Sequence, residues 1–60
     1  MKPATIATKL VAKYGTRRAH LKAKARVMRG VGFRLHKGFW LTWMEVGKHV
    51  ERIGNSAGWN

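Results

Sequence analysis

The sixty-residue chain has no cysteine and no aspartate, and its only acids are two glutamates. Without thiols there is no disulfide framework and no thiolate metal site. Two carboxylates leave nothing from which to build a paired-acid hydrolase or an oxygen-ligated cation site. No apolar run approaches the roughly 20 residues that span a bilayer. Behind Lys2, the residues Thr5, Thr8 and Lys9 break up what would have to be the apolar stretch of a secretory signal. Internal repeats are absent, and the only compositional bias is the Lys/Arg/Ala enrichment over 17–29.

Catalytic groups are equally scarce. One serine, Ser56, three histidines and two glutamates stand at no spacing that joins nucleophile, base and orienting acid. The expectation is a non-enzymatic protein with no cofactor, no catalytic residue and no metal site. Glu45 and His49 at i, i+4 share a helical face, but no third ligand joins them and a solvated ion pair explains them better. His20 and His36 read as surface histidines among bases. Gly30-Val31-Gly32 resembles the start of a phosphate-binding loop but lacks the third glycine and a preceding strand.

What the chain does have is charge of one sign. Thirteen Lys/Arg give a formal net charge of +11, and apolar residues make up 45%, too many for a disordered basic tail. The bases are unevenly placed. Lys2, Lys9, Lys13, Arg17, Arg18, Lys22, Lys24, Arg26, Arg29, Arg34 and Lys37 all precede the first acid, Glu45. From Glu45 onward Lys48 and Arg52 balance Glu45 and Glu51. Aromatics run the other way: Tyr14 alone precedes Phe33, followed by Phe39, Trp40, Trp43 and Trp59. A cationic front and a neutral, aromatic back suggest a division between electrostatic attraction and apolar anchoring.

The patterning is helical. Pro3 suits a first turn, and Ile6, Leu10, Val11 and Tyr14 form one stripe closed by Gly15, which predicts a helix over 3–14. Thr16 is a candidate cap for the next segment. Over 17–29, Ala19, Leu21, Ala23, Ala25 and Val27 alternate as in a strand, but Ala, Lys, Arg, Leu and Met are helix formers, and Leu21, Ala25 and Met28 fall on one helical stripe. Helix is the better reading, with this narrow apolar stripe leaning on neighbours or on an anionic surface. Gly30 and Gly32 suggest a turn and Gly38 another, leaving room for a short helix over 31–37. From 39 to 53, Phe39, Trp40, Trp43, Met44, Val46, Gly47, Val50 and Ile53 share a face, with Leu41, Glu45, Lys48 and Arg52 opposite. Gly54-Asn55 is expected to end this helix and 55–60 to be a loose tail, with Trp59 able to fold back. The predicted class is all-α, a single compact mini-bundle of three to four short amphipathic helices.

Two segments carry a further resemblance. Ala12-Lys13-Tyr14-Gly15, preceded by Leu10-Val11 and followed by bases, resembles the LLAKYG or YIAKYG stretch of the aureocin- and lacticin-type leaderless bacteriocins. Lys24-Ala25-Arg26-Val27-Met28 resembles the K-G-K-(V/I)-L segment of that family at nearly the same distance, and the stretch from Trp40 to Ile53-Gly54 parallels its closing helix. A start at Met without a leader also fits. The resemblance implies a bundle of short helices, secreted without a cleavable signal peptide, that permeabilises Gram-positive membranes without a protein receptor.

The composition points the same way. On this reading the eleven bases preceding Glu45 draw the protein to an anionic bacterial bilayer, and Phe33, Phe39, Trp40, Trp43 and Trp59 insert at its interface. An alternative is a non-enzymatic RNA- or DNA-binding protein, ribosome-associated or phage-encoded, in which 17–29 meets phosphates and the aromatics stack on bases. A third is a subunit whose Trp face packs on a protein partner. Three Trp in sixty residues is a heavy load for a charge-driven RNA binder and favours the bilayer.

Overall fold

The computed structural model describes residues 2–59, and these form three helices: α1, Pro3–Tyr14; α2, Thr16–Gly32; and α3, Lys37–Ala57. Pro3 opens α1 as expected, at the position where a missing N–H costs nothing. Gly15 is the whole connection between α1 and α2. Its N–H donates to the Val11 carbonyl at 2.9 Å, and its own carbonyl accepts from Ala19 at 3.0 Å, so one residue ends one helix and starts the next. Its φ of 85° and ψ of 164° lie in a region open essentially to glycine alone. Gly15→Ala is therefore expected to cost about 1–3 kcal/mol, read as a lowered thermal midpoint in far-UV circular dichroism. Thr16 does not cap α2: it is the first helical residue, buried, and its side chain makes no capping hydrogen bond.

Gly30 and Gly32 correct the expected turn, because both lie inside α2, which runs to Gly32 without a break. No separate helix forms over 31–37. The chain instead reverses through a left-handed closure at Arg34, φ 53°. There the Leu35 N–H reaches back to the Gly30 carbonyl at 2.9 Å and the Arg34 N–H to Val31 at 3.2 Å, the paired bonds of a Schellman ending. His36 then caps α3, its Nδ1 accepting from the Gly38 N–H at 3.0 Å. Gly38 thus belongs to the first turn of α3. At the other end α3 passes through Gly54 and Asn55 to Ala57, about one turn beyond the expected glycine stop. Gly54 sits in continuous helix, and it is Gly58, just past the helix end, that takes a positive φ, 98°. Of the expected loose tail, 55–57 is helical and Asn60 lies outside the described residues.

α2 and α3 run antiparallel and make the most extensive contact, with α1 packed mainly on α3. The buried core is small side chains only: Ala7, Ala19, Ala23, Val46 and Val50, with Ile6, Leu10, Val11 and Trp43 partly buried around it. Small residues let two backbones approach closely. At Gly30 an added Cβ would fall 2.8 Å from the Cβ of Trp40, while at Gly47 it would sit 3.8 Å from Ala23, an ordinary contact. The globule measures 34 × 19 × 17 Å. Its accessible surface is 4466 Å², against roughly 4,000 Å² expected for a compact monomer of this mass. Large apolar side chains that the Ala/Val core leaves outside, Phe33 and Met28 among them, add to that surface.

Candidate functional site

The surface with the most chemistry is the outer side of α2. Thr16, Ala19, Ala23 and Gly30 face inward. At 3.6 residues per turn, Leu21, Ala25, Met28 and Gly32 (i, i+4, i+7, i+11) then fall on the opposite side. Leu21 is 59% and Met28 65% exposed, so this apolar stripe is turned to solvent and leans on no neighbouring helix. Bases line both of its edges: Arg17 and Lys24 on one, Arg18, Lys22 and Arg29 on the other, all exposed. Among the described residues none has a carboxylate within ion-pairing distance, and the single ion pair is Lys48 Nζ to Glu45 Oε1, 3.6 Å, on the exposed side of α3.

Aromatic rings position some of these cations. Lys22 Nζ lies 4.4 Å and Lys13 Nζ 5.3 Å from the centroid of Tyr14, so one ring at the end of α1 gathers bases from two helices. The Arg26 guanidinium stacks 4.2 Å from the Trp43 ring. Such contacts orient the stems while leaving the charged heads toward water. Lys2 and Lys9 are exposed at α1, Arg34 lies in the α2–α3 turn, and Lys37 begins α3.

The aromatic residues do not form one patch. Phe33, 74% exposed, and Phe39 stand at the pole where α2 turns into α3. Trp40 is half-buried with its Cβ beneath Gly30, and Trp43 is half-buried against the core and under Arg26. Trp59 does fold back, but at the opposite pole. Its ring lies so close to Gly54 that a Cβ there would be 2.5 Å away, its Nε1–H donates to Asn55 Oδ1 at 3.3 Å, and it meets His20 edge-on at 5.4 Å between centroids. Trp40 and Trp43, two of the three tryptophans expected at an interface, thus pack at the α2–α3 contact, while Phe33, Phe39 and Trp59 stay exposed alongside Leu21, Met28, Val31, Leu35, Leu41 and Met44. Of these, Phe33, Phe39 and Trp59 are singled out by the sequence reading. The Leu21–Ala25–Met28 stripe was visible there as a periodicity, but nothing local reveals that it faces outward.

Between α2 and α3 lies an open groove of about 310 Å³, floored by Val27, Trp43 and Met44 and edged by His20, Lys24, Lys48 and Glu51. No group of three or more His, Cys, Asp or Glu that could hold a metal occurs among the described residues. None of their helices is long and apolar enough to cross a membrane. Comparison with protein-family models, with curated proteins and with solved structures finds no match to this chain.

Proposed function

We propose that this protein is a secreted, cationic antimicrobial peptide of the bacteriocin type, an amphipathic helical mini-bundle that binds anionic bacterial membranes and permeabilises them without enzymatic chemistry. One observation carries the reading: the solvent side of α2 presents an apolar stripe, Leu21–Ala25–Met28, between two edges of bases with no ion-paired acid. A helix with that cross-section lies in a lipid interface with its stripe about 5–10 Å deep and its bases level with the phosphates. Each base near an anionic leaflet contributes about 1 kcal/mol. The likeness of residues 10–15 and 24–28 to leaderless bacteriocins supports the same class.

The thin core supports the second half of the mechanism. Folding buries no side chain larger than valine completely, so the helix faces can exchange their partners for acyl chains at modest cost. An RNA- or DNA-binding role is favoured by one feature of its own, the unneutralised row of bases along α2; it leaves Leu21 and Met28 without a purpose. Dye-loaded vesicles containing phosphatidylglycerol are expected to leak on addition of the protein at low salt, whereas pure phosphatidylcholine vesicles stay sealed. Absence of leakage together with a gel shift that survives physiological salt would sink the membrane reading in favour of nucleic acid.

A further inference from the structure

We infer that the α2–α3 turn is the part of the molecule that penetrates deepest into the bilayer, ahead of the α2 stripe and of every tryptophan. The inference rests on the membrane reading and names the element that breaches the lipid. Around this pole Val31, Phe33, Leu35 and Phe39 are all exposed, Phe33 at 74% the most exposed large apolar residue described. They are brought together by the backbone. Two hydrogen bonds, Leu35 N–H to Gly30 and Arg34 N–H to Val31, fix the reversal, and His36 fixes the start of α3. The turn is thus a built tip and not a slack loop.

Arg34 is the telling residue. It holds φ 53° at the position of a Schellman ending where glycine fits without strain, the one non-glycine residue with positive φ among those described. A strained position kept by a charged side chain points to use of that side chain. Arg34 stands between Phe33 and Leu35 in the turn, all three exposed, with Arg29 and Lys37 on the flanking helix ends. The nearest acid along the chain, Glu45, is two turns further into α3. An apolar tip collared by cations is complementary to an anionic bilayer: rings into acyl chains, collar on phosphates. A second copy of the chain is a poor occupant, since pairing two tips would bring both collars together. Trp59 is at the other pole, packed by Gly54 and His20, and does not share this surface.

The chain has no cysteine, so single cysteines place labels without ambiguity. The full-length variants L35C (tip), A25C (α2 stripe) and A12C (outer side of α1), each carrying a small environment-sensitive fluorophore, are mixed with vesicles of phosphatidylcholine and phosphatidylglycerol bearing nitroxides at shallow or deep acyl positions. The label at 35 is expected to be quenched best by the deep nitroxide, that at 25 by the shallow one, and that at 12 by neither. Equal depth for 25 and 35, or a deeper 25, overturns the tip while leaving membrane binding intact. No quenching at any position overturns both. Phe33→Ser should lower leakage about tenfold or more, with unchanged far-UV circular dichroism. Unaltered leakage in that variant also counts against the tip.

Discussion

Gly30→Val is expected to unfold a large share of the protein, whereas Gly32→Ala, two residues along the same helix, is expected to stabilise it. Both glycines carry a helix-propensity penalty of up to about 1 kcal/mol relative to alanine. At Gly32 a Cβ would meet nothing within 4 Å, so alanine recovers part of that penalty. At Gly30 the Cβ would lie 2.8 Å from the Trp40 Cβ and 3.2 Å from the Phe39 ring. Trp40 Cβ is rigidly tied to the α3 backbone and cannot swing aside, so the helices must separate. Overpacking of this kind costs about 1–3 kcal/mol for a first methyl group, and valine adds two more. A domain of this size rarely holds more than about 3–5 kcal/mol. Urea titration followed by circular dichroism should give the order Gly32→Ala, native, Gly30→Ala, Gly30→Val from most to least stable. If Gly30→Ala gains stability as Gly32→Ala does, α2 and α3 are not in close contact there.

Replacing Arg17, Arg18 and Arg29 together by glutamine is expected to weaken binding to anionic vesicles on the order of a hundredfold. The three side chains are exposed along the two edges of the α2 stripe, and loss of about 1 kcal/mol for each gives about 3 kcal/mol. The fold should be unchanged, because none of the three contributes to the Ala/Val core. Residual binding should also depend less steeply on salt, since fewer charges remain to be screened over a Debye length of about 8 Å at physiological ionic strength. The companion variant, Leu21→Asn with Met28→Asn, keeps every charge and removes the stripe. Co-sedimentation with vesicles should then fall, by up to about 1.5–3 kcal/mol per side chain, while any nucleic-acid gel shift stays where it was. If the stripe variant binds vesicles as well as the native protein, α2 does not lie in the interface as proposed.

Much of the helical content was legible locally. Pro3, the Ile6–Leu10–Tyr14 periodicity and Gly15 delimit α1 because a helix start, a stripe and a stop each have their own residue chemistry. The two later boundaries were misread for one reason. Gly30, Gly32, Gly38 and Gly54 look like punctuation, yet each sits within a helix. Gly30 and Gly54 admit Trp40 and Trp59, and a close approach across a chain reversal shows in the packing, not in the propensity of the glycine's own segment. The actual reversal at 33–36 uses Arg34 in a conformation that propensity assigns to glycine.

The candidate site divides in the same way. That the bases crowd the first forty-four residues and that α2 is helical follow from composition and propensity, which are properties of the chain itself. Which side of α2 meets water does not. Residues 17–29 carry two apolar rows, Ala19–Ala23 and Leu21–Ala25–Met28, and hydrophobicity alone would bury the larger one. The fold buries the alanines instead: Ala19 and Ala23 join Val46 and Val50 in the core, and the Ala23 side chain lies against Gly47, where α2 and α3 approach closely. Leucine and methionine are thereby left outside among the arginines and lysines. Sequence determined a cationic helical protein; the close packing of α2 on α3 through small side chains decided that its larger apolar row, and the tip of its α2–α3 turn, would face outward.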